Sequence, residues 1–289
     1  MSLPQYPDVD SFDAFSEYVE RSALFNTVKE RLADIYRAAE REVVDNYGLV
    51  VVGGQALTLW ARQYLLNELT GEEAHFVTSD DIDLVGKPGA VEHCEARLKI
   101  AFRRATMDDN TPNIGIAEIV WDEDRTIVVD ILDKIAGVKE KLLYKHLESV
   151  VIDDVRVTLI DPVICLQSRL YNLYAPWCSD HQRESVRVRL AINASRHYLT
   201  DLLNEGGYAD IRPHIKIIRD LALSQQGKNA FYDYELDILD AIPRDPMLLP
   251  ELFVQREFRR MYAQTQNRRD RKRIQYERFG RAVRGLGFV

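Results

Sequence analysis

The chain of 289 residues is poor in most of the features that announce a function. It has three cysteines, Cys94, Cys165 and Cys178, odd in number and far apart. None stand in C-x-x-C spacing, which excludes a disulfide framework and a zinc ribbon and leaves unreactive thiols in a reducing compartment as the expectation. The six histidines form no H-x-x-x-H pair, so local spacing offers no zinc motif. G-x-S-x-G is missing, against a hydrolase nucleophile elbow. G-x-x-x-x-G-K-[ST] is missing, against a P-loop. Fourteen glycines and ten prolines are too few for a collagen-like or linker-dominated chain. The most apolar window, residues 49–61, is interrupted by two glycines, a glutamine and a threonine, whereas a membrane span needs about 20 apolar residues. The first residues, Met-Ser-Leu-Pro-Gln-Tyr-Pro-Asp, carry neither a basic segment nor an apolar core of the secretory kind. A cytoplasmic protein that does not enter the membrane is expected.

What is present is ordered. Helical spacing of apolar residues runs over 11–45 and stops at Asn46-Tyr47-Gly48. Residues 49–52 form a short β-branched strand, Gly53-Gly54 follow, and a helix is expected over 55–69. Residues 78–86 read as a strand with acidic residues at its entry, with Asp80 in a loop or capping position. A helix is expected from Pro88 to about Arg104. Strands over 114–121 and 126–132 flank the polar turn Asp122-Glu123-Asp124-Arg125. After a short helix over 139–147, strands 150–152 and 155–160 flank Asp153-Asp154. Beyond Asp161-Pro162 the texture is helical: one long helix carrying Val188, Ala191, Ile192, Leu199 and Leu203, then helices around 209–225, 230–241, 247–264 and 268–284. The expected organisation is a helical segment over 1–46, a mixed α+β core over 47–160, and an all-helical lobe with a basic tail over 161–289.

Three features carry chemistry. Gly53-Gly54 sits where a strand hands over to a helix, either as a tight turn or as a place where backbone N–H groups approach a phosphate. Asp81 and Asp83, two apart on a strand, point to one face while Ile82 and Leu84 point to the other. That face is either a solvated acidic patch or a pair able to share Mg²⁺. Asp130 interrupts the apolar run Ile127-Val128-Val129-Asp130-Ile131-Leu132. A carboxylate there needs an Arg or Lys partner or a cation to offset several kcal/mol of desolvation.

This order of motifs resembles the nucleotidyltransferase superfamily that shares its fold with DNA polymerase β. Val50-Val51-Val52-Gly53-Gly54-Gln55-Ala56-Leu57 matches its first motif, Asp81-Ile82-Asp83-Leu84 its second and Val129-Asp130-Ile131 its third. Gly-Gly-x-Ala-Leu followed by Ser-x-Asp-Ile-Asp is most similar to the abortive-infection and toxin–antitoxin type. The resemblance implies a nucleotidyltransferase-like mixed sheet flanked by helices and followed by a helical lobe. It implies transfer of an NMP from an NTP to a hydroxyl acceptor, with Mg²⁺ or Mn²⁺ held by Asp81, Asp83 and Asp130. Gly53, Gly54 and Ser79 would line the phosphates, with Arg169 in the helical lobe facing them. An antitoxin partner is implied for the toxin-like type. The sequence departs from the family in a longer stretch between Gly54 and Asp81, with 67–77 as an insertion, and in having Arg169 where toxin-like members carry lysine. A non-catalytic NTP- or RNA-binding scaffold and a metal-dependent glycosyltransferase are the alternative readings; Val85 in the position of a threonine argues against an Asp-x-Asp-x-Thr phosphatase.

The formal charge of −8 hides an uneven distribution. Residues 256–289 hold eleven basic and three acidic residues, a local +8, with Phe258, Tyr262, Tyr276 and Phe279 interleaved. This Arg-rich stretch over 256–284 is either a solvated helix docked on the acidic remainder, an RNA- or DNA-binding surface, or a protein-binding one.

Overall fold

The apolar run Leu49–Val52 places β1 (Val50–Val51) at the heart of the sheet, where both of its residues are fully buried. In this computed structural model the backbone is described for residues 12–37, 40–79, 81–106, 112–122 and 125–285, and side chains for the same residues except 12–22, 40, 122 and 275–285. The other strands are β2 (Asp81–Val85), β3 (Arg103–Arg104), β4 (Asn113–Asp122), β5 (Arg125–Leu132), β6 (Leu147–Ile152) and β7 (Val155–Ile160). They form a seven-stranded mixed sheet in the order β3-β4-β5-β2-β1-β7-β6. β1 runs antiparallel to β2 and parallel to β7, and β2 runs parallel to β5. The outer strands close by antiparallel pairing of β4 with β5 and of β6 with β7. Asp153 and Asp154 turn the β6–β7 hairpin at φ +47° and +64°, a geometry short polar side chains tolerate.

Helices cover the sheet. In α1 (Phe12–Tyr36), Phe25, Val28, Leu32 and Ile35 recur at helical spacing and are buried. The Tyr36 hydroxyl bonds the carbonyls of Leu49 and Thr158, tying α1 to the backbone of β7 and the entry to β1. The expected helix over 11–45 is broken into α1 and α2 (Glu40–Tyr47), and α2 ends at Gly48, which has φ +60°. α3 (Gly53–Tyr64) starts earlier than expected, because both glycines belong to its first turn. The segment 67–77 forms α4 (Gly71–Val77), opened by a Thr70–Glu73 capping box. α5 (Ala90–Leu98) is shorter than the expected 88–104: Lys99 adopts a left-handed conformation and Arg103–Arg104 pair with β4 instead. α6 (Glu140–Leu143) is a single turn. Asp80 and the turn residues Glu123 and Asp124 lie outside the described residues.

After Ile160 the described elements are helical: α7 (Pro162–Leu173), α8 (His181–Glu205), α9 (Tyr208–Leu223), α10 (Gln225–Tyr234) and α11 (Arg259–Gly285). The expected helix over 230–241 is displaced, since α10 ends at Glu235 in a left-handed conformation and 238–241 form a 3-10 turn. The expected pair of helices over 247–264 and 268–284 is instead one run: a π turn at Phe253–Phe258 passes directly into α11. One apolar cluster extends from the sheet into these helices, and Trp60 on α3 donates to the Ile160 carbonyl where the sheet ends. Among the described residues no helix is long and apolar enough to cross a membrane.

The basic stretch is not uniformly a surface. Arg269 is 1% exposed and makes two hydrogen bonds to Asp237, at 2.6 and 2.9 Å, with its guanidinium 3.8 Å from the Phe231 ring centre. Arg278, Arg281 and Arg284 have side chains outside the described residues. Removing Asp237 would strand a buried cation, so Asp237→Ala is expected to cost about 3–5 kcal/mol in urea unfolding. Arg268→Ala, at an exposed neighbour, is expected to change stability by no more than about 0.5 kcal/mol.

Candidate active site

The acidic residues meet because of strand register. Asp83 on β2 is the direct partner of Asp130 on β5, and Asp81 is the partner of Val128. Side chains alternate along a strand, so Asp81, Asp83 and Asp130 share one face while Ile82, Leu84, Val129 and Ile131, fully buried, fill the other. All three predicted carboxylates therefore come together. Asp81 is exposed at the open end; Asp83 and Asp130 are half-buried.

Gly53 is required by Asp83. Gly53 has φ +64°, and a Cβ on it would lie 1.9 Å from Asp83 Oδ2. The Gly54 N–H donates to that same oxygen at 3.2 Å, and Val52 N–H donates to the Asp83 carbonyl at 2.9 Å. The start of α3 and the carboxylate of Asp83 thus occupy one space. Ser79 sits beside them: a Cβ on Gly54 would lie 2.6 Å from its Oγ. Its backbone is fixed by Thr58, whose hydroxyl donates to the Val77 carbonyl at 2.7 Å and accepts from the Ser79 N–H at 3.2 Å.

A cationic wall faces this cluster from the helices after the sheet. Arg169 on α7 is buried and contacts Glu184 at 3.3 Å, and its Nε is buried with no hydrogen-bond partner. Sequence reasoning missed two companions on α8. Arg187 bonds Glu184 at 2.9 Å and the Phe76 carbonyl at 2.8 Å, and its Nη2 lies 3.8 Å from where a Gly54 Cβ would be. Arg183 donates to the Thr78 carbonyl at 3.2 Å. The run Arg183-Glu184-x-x-Arg187, with two arginines one helical turn apart around an acid, was the available signal. These contacts also explain the longer Gly54–Asp81 stretch: α4 is held against α8 by Arg187, Arg183 and an Arg189–Glu73 ion pair of 3.2 Å.

The charges act on one another. Burial pushes the Asp83 carboxyl up, opposed by Arg169, the Gly54 N–H and Arg187. Burial, with Asp83 and then Asp81 beside it, pushes Asp130 up to about 6. Among the described residues no lysine or arginine pairs with Asp130; its partner is Asn113, which donates to it at 2.9 Å from β4. The buried Asp–Arg pair that the sequence left open for Asp130 is therefore absent among the described residues. Three oxygen-donor groups on one face, with repulsion left unrelieved at Asp130, form a donor set that suits a hard divalent cation.

No family model matches the chain, and no curated protein matches it. Among solved structures, it is similar to an antigenic nucleotidyltransferase-like protein from Paracoccidioides brasiliensis, at 12% identity and a TM-score of 0.38, over 67% of this chain and 92% of that one. It is also similar to the antibiotic-resistance factor ANT(2'')-Ia, at 17% identity and a TM-score of 0.37, over 62% of this chain and 96% of that one.

A carboxyl raised from 3.8 to about 6 holds its proton more firmly in the folded chain than in the unfolded one. Its contribution is fully present below about pH 4 and is lost as pH rises through about 6. Metal-free Asp130→Asn is therefore expected to be more stable than wild type at pH 7.5. The gain is about 1–2 kcal/mol once solvent screening at this half-buried position is allowed for. The gain should vanish at pH 4. Urea unfolding of chelator-treated protein at the two pH values checks both.

Proposed function

We propose that the chain is a metal-dependent nucleotidyltransferase that moves a nucleoside monophosphate from an NTP to a hydroxyl acceptor. The observation that carries this reading is the Asp83–Asp130 register pair, with Asp81 on the same face and Asp83 held against the glycine-initiated helix α3. Asp81, Asp83 and Asp130 would hold Mg²⁺ or Mn²⁺. When bound, such ions offset triphosphate charge and ease both attack and departure of oxygen at phosphorus.

The chain's own groups divide the remaining work. The first turn of α3 would offer its positive dipole end and the backbone N–H groups beside Gly54, whose own N–H is committed to Asp83, to phosphate oxygens. Arg169 and Arg187 would pair with the same phosphates, and the free Nε of Arg169 leaves it a donor to give. The Ser79 hydroxyl borders the same turn. The acceptor oxygen would form a bond to the α-phosphorus as the bond to the leaving pyrophosphate breaks with its electron pair. Asp130 would take the acceptor's proton. Exposed Arg256, Arg259, Arg260, Arg268, Arg271 and Arg273 favour a polyanionic acceptor such as RNA. The three free cysteines, two of them buried, suit a cytoplasmic setting.

The test is transfer from α-labelled NTPs, with Mg²⁺ or Mn²⁺, to total RNA and to lysate protein. Labelling of RNA that falls about 100–1,000-fold in Asp83→Ala and in Asp130→Ala is the expected result. Arg187→Ala should raise the KM for NTP about tenfold or more. Metal-dependent NTP binding without transfer would favour the scaffold reading, and the absence of both binding and transfer would refute the proposal.

A further inference from the structure

Local spacing offered no histidine metal motif, yet the fold assembles one. His146 stands just before β6, Asp161 just after β7 and His214 within α9, and all three are buried. Asp161 Oδ2 lies 3.0 Å from His146 Nδ1 and 2.9 Å from His214 Nε2, and the two nitrogens are 3.1 Å apart. Three donor atoms thus form a nearly equilateral triangle.

With both imidazoles neutral, hydrogen atoms do not account for that triangle. Asp161 Oδ1 is committed to the Ile164 N–H at 2.7 Å, where it caps α7. His214 Nδ1 lies 3.3 Å from the Asp210 carbonyl, which can only accept, so this nitrogen carries a proton. In a neutral ring His214 Nε2 then presents a lone pair to a carboxylate oxygen and to His146 Nδ1. One proton, on His146, is left for three short edges. A cation on the axis of the triangle would satisfy all three.

We propose that His146, Asp161 and His214 bind a divalent transition metal ion of the Zn²⁺ class. An ion about 2.0–2.1 Å from each atom would see them at angles of about 90–100°, the facial arrangement of two imidazoles and one carboxylate. The supporting contacts are those of a metal site: the second nitrogen of His214 bonds a backbone carbonyl, and the second oxygen of Asp161 bonds a backbone N–H. His146 also lines a cavity of about 490 Å³ together with Lys139, Tyr171, Pro213 and Lys216. Two imidazoles select a transition ion over Mg²⁺, so this site differs in kind from the carboxylate cluster. It is also separate in place: Asp161 follows β7, and β1 stands between β7 and β2. Metal there would pin α9 to the start of α7, the helix that carries Arg169.

The experiment uses the full chain, freed of metal by chelator and titrated with Zn²⁺ and Co²⁺ in saturating Mg²⁺. One Zn²⁺ per chain is expected, with a raised thermal midpoint and with visible Co²⁺ absorption that Zn²⁺ displaces. Binding should persist in a chain carrying Asp81→Asn, Asp83→Asn and Asp130→Asn, and weaken at least about 100-fold in His146→Gln and His214→Ala. If a histidine variant does not fold, the wild-type and triple-Asn titrations decide alone. The proposal is overturned if wild type binds no Zn²⁺ under Mg²⁺, if the triple-Asn chain loses it, or if folded histidine variants keep it. The cluster would then be a hydrogen-bonded ion pair with a protonated histidine.

Discussion

The carboxylate of Asp83 occupies the space that a side chain at residue 53 would fill, and it takes a hydrogen bond from the backbone of residue 54. From this contact much of the site follows. It requires glycine at residue 53 for want of room and for positive φ, and it sets the height of α3 above the sheet. It locks β1 against β2 through the adjacent Val52–Asp83 hydrogen bond. Because β5 pairs in register with β2, placing Asp83 also places Asp130. A shift of one residue in β2 would turn both of its aspartates into the core and bring Ile82 and Leu84 out.

Around that contact the charges are sorted by side. The carboxylates lie on the sheet, and the arginines come from α7 and α8. Glu184 sits between them as an organiser: it binds both Arg169 and Arg187, which keeps two cations close to each other and aimed near the start of α3. Burial and mutual repulsion leave Asp130 the least settled carboxylate, and cationic neighbours relieve Asp83 but not Asp130. An arrangement strained in this way gains by taking up a divalent cation, and a triphosphate could bridge such a cation and the arginines. The same folding logic puts Arg269 to structural use, so the basic run is part anchor and part surface.

What could be read from the chain was what obeys a short period. Asp81-Ile82-Asp83 and the lone Asp130 were legible because strand alternation assigns faces over two residues, and an acid inside an apolar strand is conspicuous. Gly53-Gly54 were legible as a strand–helix handover, although their membership of α3 was not, since their close fit to Asp83 depends on a residue thirty positions away. Arg183 and Arg187 escaped because their meaning lies in contacts with Phe76 and Thr78, more than a hundred residues earlier. His146 and His214 escaped for the same reason, being joined only by the packing of α9 on the β7–α7 junction. Helix ends failed where one residue decides them: Lys99 and Glu235 enter left-handed conformations that no periodicity signals. The domain division at residue 160 remains a proposal; the sheet does end there.

The most direct test of the central claim is a crystal structure of the chain with Mn²⁺ and a non-hydrolysable NTP analogue, with manganese located by its anomalous signal. The account predicts manganese bound by carboxylate oxygens of Asp81, Asp83 and Asp130, with the triphosphate against the first turn of α3 and within reach of Arg169 and Arg187. Manganese and nucleotide bound elsewhere, with the three carboxylates left unligated, would contradict it.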